Sequence, residues 1–200
     1  LVADLQRMAV EALAGQRGAV VALDPSTGAV LAFVSTPSFD PNTIIGNDGT
    51  PTWDALSGNP AEPLKDRASR ESYPPGSTFK VITAAAAIES GIAGPDTTFA
   101  NPTELELPGS TAVIRNFAGS LCGDSDEVSL REAFRRSCNT VFGQLAMDLG
   151  GSRLVQQAEA FGFNRDIPFE WEALTGFFPS TGEFSADLPA VAQSGLGQRD

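Results

Sequence analysis

Two hundred residues are enough for one sizeable hydrophobic core, and nothing in the composition points to disorder. A net charge of −12 argues against nucleic acid or an anionic membrane surface as partner. The chain has no histidine and only two cysteines, which excludes a Ser-His-Asp triad, a Cys-His pair and the common zinc and iron sites, so no cofactor is expected.

Leu1, Leu5, Met8, Ala9, Ala12 and Leu13 fall at helical spacing and Gly15 marks a stop, so the chain is expected to open with a helix. Two apolar runs, Gly18 to Leu23 and Ala29 to Val34, flank Asp24-Pro25-Ser26-Thr27-Gly28 and read as a β-hairpin. Both runs are apolar on both faces, which predicts a sheet covered on both sides, with helices layered over it. From Ser35 to Glu71 the chain turns irregular, rich in Pro, Asn, Asp and Ser. Long loops of this kind often form functional walls.

A further helix is expected from Phe79 to Ile88, and mostly loop with short strand from Gly94 to Ser120, centred on Val113 and Ile114. Ser129-Leu130-Arg131-Glu132 has the form of a capping box, so a helix should start at Leu130 and run towards Arg136. Thr140 to Leu149 continues as helix up to Gly150-Gly151, and Ser152 is placed to cap another that ends at Gly162. Asn164 to Gly182 reads as an aromatic loop, and Asp187 to Asp200 as the start of a helix or strand. No run reaches roughly 18 apolar residues, the length of a membrane-spanning helix, and the opening residues do not read as a signal peptide. Neither an internal repeat nor a dividing linker is evident.

The chemistry gathers at Tyr73 to Gly91, YPPGSTFKVITAAAAIESG. Pro74 and Pro75 cannot sit inside a helix, Gly76 permits a sharp turn, and the alanine-rich run beyond reads as a buried helix. Ser77 then sits at the helix start, with Lys80 three residues on and on the same face. The positive end of the helix favours an alkoxide at Ser77 and opposes a cation at Lys80, and burial pushes Lys80 the same way. With no histidine available, and Lys65 as the only other lysine, this is the arrangement of a serine nucleophile activated by a lysine base.

A second candidate is Ser137-Cys138-Asn139, between two helical segments. The hydroxyl could relay a proton, and the carboxamide could both donate to and accept from a peptide backbone. The plainer reading is that Asn139 merely caps the next helix.

Ser-x-x-Lys followed by Ser-x-Asn resembles the penicillin-binding proteins and the serine β-lactamases. The segments GAVVALDPSTGAVLAFVSTPSFDPN, RASRESYPPGSTFKVITAAAAIESG, SLREAFRRSCNTVFGQLAMDLG and SGLGQRD also look like transpeptidase-domain blocks in that family's order, most like those of actinobacterial elongation and division enzymes. The resemblance implies an α+β fold, with helices packed on both sides of an antiparallel sheet plus an all-helical lobe. It implies a D,D-transpeptidase acting on peptidoglycan stem peptides that end in D-Ala-D-Ala, and inhibited by β-lactam antibiotics. Such an enzyme would stand at the extracytoplasmic face of the membrane on an upstream anchor, beside division or elongation proteins. Ser77 would be acylated, Lys80 would take its proton, Ser137 would pass a proton to the leaving amine, and Asn139 would bind the substrate's amide. The Ser77 N–H would form half of the oxyanion hole. In that extracytoplasmic setting Cys122 and Cys138 are expected to pair as a disulfide.

One family element, Lys-Thr/Ser-Gly, has no counterpart, since no lysine follows Lys80. Residues 1–200 are therefore expected to be the leading part of one transpeptidase domain, with the sheet's later strands outside it. A D,D-carboxypeptidase and a non-catalytic β-lactam sensor or division scaffold share these motifs and stay open. A β-lactamase fits less well, because the nearest approach to a deacylating Glu-x-x-Leu-Asn loop, around Glu170 and Glu172, has the wrong spacing.

Overall fold

The computed structural model describes residues 1–45, 49–184 and 187–198; Arg199 and Asp200, which close the SGLGQRD segment, lie outside them. The chain divides into two compact units, one of Leu1–Ser72 with Pro168–Leu174 and one of Tyr73–Ile167 with Thr175–Asp200.

In the first unit, α1 (Ala3–Leu13) precedes the antiparallel pair β1 (Gly18–Leu23) and β2 (Val30–Thr36), with Val20 opposite Val34 and Val21 opposite Phe33. Strand alternation sends Val20, Ala22, Ala32 and Val34 to one face, where they pack with Ala9 and Leu13 of α1. The other face carries Phe33 against the rings of Phe169 and Trp171. Val21 and Leu23 remain about half exposed, so within this unit the sheet is covered on one side and only partly on the other, short of the two-sided cover its apolar runs suggest. The stretch expected to be irregular contains a helix, α2 (Thr50–Ser57), whose Pro51 sits in the first turn, where a missing N–H is harmless. Further on, the fully buried Arg67 guanidinium donates to the carbonyls of Ala61, Glu62 and Lys65, folding that loop around one cation. Glu172 is held by Arg70.

The second unit is a helical core with short ladders along it. A 3-10 turn, Gly76–Phe79, leads directly into α3 (Lys80–Glu89), and Gly91 follows at φ 72°. Three short strands come next, β3 (Thr98–Ala100), β4 (Glu104–Glu106) and β5 (Val113–Arg115), then β6 (Glu127–Ser129). β3 pairs antiparallel with β6, and β4 with β5. The helices α4 (Leu130–Arg136), α5 (Asn139–Leu149), α6 (Gly151–Ala160), α7 (Thr181–Phe184) and α8 (Leu188–Ser194) complete it.

Ser129 caps α4 by accepting the Glu132 N–H at 3.2 Å. Glu132 does not return the bond; Arg135 and Arg136 take its carboxylate and pull its pKa down to about 2. Ser152 lies inside α6 and does not cap it, because Gly150 at φ 76° already turns the chain and stands at the N-cap. α5 is the axis of the core: Val141, Phe142, Leu145, Ala146 and Leu149 are all essentially inaccessible. Gly195 lies so close to it that a Cβ there would overlap that of Ala146. Phe79 stacks on Phe178, with Phe163 and Phe184 around that ring, which gives the aromatic loop its buried anchor.

Candidate active site

The Pro-Pro-Gly entry works through its glycine: Gly76 takes φ 53°, beyond easy reach of a side chain. Its N–H donates to the Gly197 carbonyl at 2.9 Å, and a Cβ on Gly197 would overlap the Gly76 carbonyl oxygen. Two glycines far apart in sequence therefore meet backbone to backbone and fix the turn that carries Ser77. Thr83 reinforces the contact by donating its hydroxyl to the Gly195 carbonyl at 2.8 Å.

Ser77 is exposed at the lip of this turn, and Lys80 below it is 1% exposed. Lys80 Nζ lies 3.2 Å from Ser77 Oγ, 3.0 Å from Ser137 Oγ, 2.8 Å from the Ser137 carbonyl and 2.7 Å from Asn139 Oδ1. It also sits 5.7 Å from the centre of the Phe142 ring. All four acceptors are neutral oxygens, so they orient the amine without the large upward pull a carboxylate exerts on a lysine pKa. Burial dominates instead and lowers the Lys80 pKa from 10.5 to about 8. An ammonium offers three hydrogens to these four oxygens; a neutral amine offers two and a lone pair. The Ser77 contact, the longest of the four, is the one placed to reverse, with the serine O–H donating to nitrogen.

Ser137 reaches this position through strain. It ends α4 at φ 60°, ψ 45°, left-handed backbone that costs a non-glycine residue about 1 kcal/mol or more. That bend lets both its carbonyl and its hydroxyl face Lys80. Cys138 follows, buried and joined to Cys122 by a disulfide with Cα atoms 5.6 Å apart. Asn139 is the first residue of α5 and does not cap it: Nδ2 donates to the Arg115 carbonyl at 2.8 Å while Oδ1 takes the Lys80 hydrogen. One Nδ2 hydrogen remains for a ligand. All four candidate residues thus meet around one amine. Sequence reasoning missed the Arg115 carbonyl, which no side-chain pattern can reveal, and the buried Asn116 beside it.

A family profile for the penicillin binding protein transpeptidase domain matches residues 18–178. The chain belongs to that family. It is 46% identical over 191 residues to the peptidoglycan D,D-transpeptidase PbpA of Mycobacterium tuberculosis, covering 92% of this chain and 37% of PbpA. The D,D-transpeptidase MrdA of Escherichia coli is 38% identical over 159 residues, 80% of this chain and 25% of MrdA. The solved structure of M. tuberculosis penicillin-binding protein A as a ceftriaxone acyl-enzyme superposes with a TM-score of 0.92 at 41% identity, over all of this chain and 46% of that one. This member therefore spans less than half the length of each of these relatives. Its helices and antiparallel ladders belong to the penicillin-binding fold.

Proposed function

We propose that the intact protein is a serine D,D-transpeptidase that cross-links peptidoglycan stem peptides and is inhibited by β-lactams. The observation that carries this is the buried, carboxylate-free hydrogen-bond set of Lys80 directly beneath the exposed Ser77. Neutral Lys80 takes the Ser77 proton as Oγ attacks the carbonyl of the penultimate D-Ala. Ser137, hydrogen-bonded to the same amine, hands its proton to the departing D-Ala nitrogen and regains one from the Lys80 ammonium. The product is an acyl-serine ester with free D-Ala; an amine from a neighbouring stem peptide then displaces Ser77 and forms the cross-link. Asn139 binds the donor peptide's amide through its remaining hydrogen, and the Ser77 N–H supplies half of the oxyanion hole. A β-lactam enters the same step, and its opened ring stays on Ser77.

Residues 1–200 are read as the leading part of one transpeptidase domain. The disulfide suits the extracytoplasmic face of the membrane, where the intact protein would be anchored and work beside elongation or division proteins. Incubating full-length protein with a penicillin and mapping the adduct by mass spectrometry tests the assignment. The adduct is expected on Ser77 and absent from Ser77→Ala; an adduct elsewhere, or one that survives the substitution, refutes it. Release of D-Ala that is coupled to acceptor consumption distinguishes cross-linking from carboxypeptidase action, and no release at all would leave a sensor or scaffold.

A further inference from the structure

Helix α5 presents Asn139 to Lys80, yet it lacks an ordinary cap. The N-cap position is Cys138, whose sulfur is committed to Cys122, and no side chain at that position accepts a first-turn N–H. Uncapped first-turn donors inside a protein need a partner from elsewhere.

That partner is Asn116, 7% exposed and one residue beyond β5. Its Oδ1 accepts the backbone N–H of Thr140 at 3.1 Å. Its Nδ2 lies 3.1 Å from Thr140 Oγ1 and donates to the carbonyls of Pro102 and Ser120 at 3.3 and 3.2 Å. Thr140 itself is buried. The preceding pair repeats the pattern, since the Arg115 carbonyl accepts from Asn139 Nδ2. Two consecutive residues after the ladder thus grip two consecutive residues at the start of α5.

We infer that Asn116 is a positioning residue, capping α5 from another element so that Asn139 turns its carboxamide oxygen to Lys80. Among the described residues, the Arg115 carbonyl and Lys80 are what hold the Asn139 side chain, and both bonds require α5 to start where Asn116 fixes it. The hydrogen bonds of Asn116 run to Pro102, Ser120 and Thr140, not to Lys80, Ser77 or Ser137. Its influence on chemistry passes through Asn139 and through the Lys80 proton, which Asn139 Oδ1 stabilises on the ammonium. The inference rests on the reading of Lys80 as the base.

The test uses full-length wild type, Asn116→Ala and Asn116→Asp with a chromogenic cephalosporin. The burst amplitude counts competent sites, and the acylation rate per site is followed against pH. Asn116→Ala is expected to slow acylation per site about tenfold or more. It should also move the rising limb to lower pH, because the ammonium loses its Asn139 acceptor. Asn116→Asp keeps an acceptor for the Thr140 N–H and should recover part of the rate. If Asn116→Ala does not fold, Thr140→Val, which removes only the hydroxyl contact, should show the same shift to a smaller degree. A lower burst with unchanged rate per site and unchanged limb means a merely structural role and overturns the inference. So does a crystal structure of Asn116→Ala with Asn139 Oδ1 still bonded to Lys80. That structure decides placement even if wild type fails to acylate at Ser77, so the two readings fail separately.

Discussion

The Lys80 proton gives the sharpest numerical test of this site. Its pKa falls from 10.5 to about 8 because the amine is buried among neutral groups. That drop corresponds to about 3 kcal/mol favouring the neutral form. With a midpoint near 8, about a tenth of the sites hold a neutral amine at pH 7 and about nine tenths at pH 9, so acylation per site should rise roughly tenfold between them. The assay is stopped-flow acylation by a β-lactam whose own ionisation is constant over that range. Lys80→Arg supplies the control: its guanidinium stays protonated, so the limb should vanish and the rate fall about 10²–10⁴-fold. Stability carries the same signature with a defined sign. Between pH 8 and 10.5 the unfolded chain binds the proton that the folded one has released, so folding stability should rise with pH in that window. Below pH 8 the full cost is present, and in Lys80→Met the rise should disappear. A flat rate profile from pH 6.5 to 9.5, or a midpoint near 10.5, would refute the neutral-base argument.

Two further outcomes follow from the surroundings of the site. The Cys122–Cys138 disulfide spans sixteen residues, which in the chain-entropy model is worth about 3 kcal/mol, so reductant should lower the unfolding temperature of the wild type and leave Cys122→Ala unaffected. Two reactive thiols in unreduced, denatured protein would contradict it. Gly197→Ala drives a methyl into the Gly76 carbonyl from a left-handed backbone position, and should cost roughly 3 kcal/mol and slow acylation about 100-fold by displacing Ser77. Wild-type unfolding temperature and rate in that variant would show that the turn gives way freely.

The chain's punctuation made most of the fold legible. Pro74-Pro75-Gly76 located the turn before the buried helix, and Ser129 with Glu132 located the start of α4. The hairpin was visible because both its runs and its turn are unambiguous. α2 was hidden by the prolines and glycines that flank and open it, and its tryptophan and leucine are too few to show a period. Ser152 looked like a cap because its residue type favours that role, but Gly150 at positive φ had already turned the chain. The spacing alone brought Ser77 and Lys80 together. It could not bring Ser137 beside them, because that contact depends on a left-handed bend at Ser137 and joins residues fifty-seven positions apart. Nor could it distinguish Asn139 as a cap from Asn139 as a ligand of Lys80, since both need the same residue at a helix start.

A chain without histidine has one way to deprotonate a serine with the residues assembled here. A lysine at its ordinary pKa is a poor base at neutral pH, because almost none of it is neutral. Pairing it with a carboxylate would orient it and make matters worse by raising that pKa. The site separates the two requirements. Burial beneath Ser77 supplies the lowered pKa, and neutral acceptors supply the orientation: two hydroxyls, a backbone carbonyl and a carboxamide. On the reading of Lys80 as the base, an amide at position 139 serves the site better than its acid would. An aspartate there would pin the proton to the amine and would lose the hydrogen bond that Asn139 Nδ2 donates to the Arg115 carbonyl. The strained backbone of Ser137 has the same origin, since a carbonyl oxygen is a neutral acceptor only if the chain bends far enough to aim it.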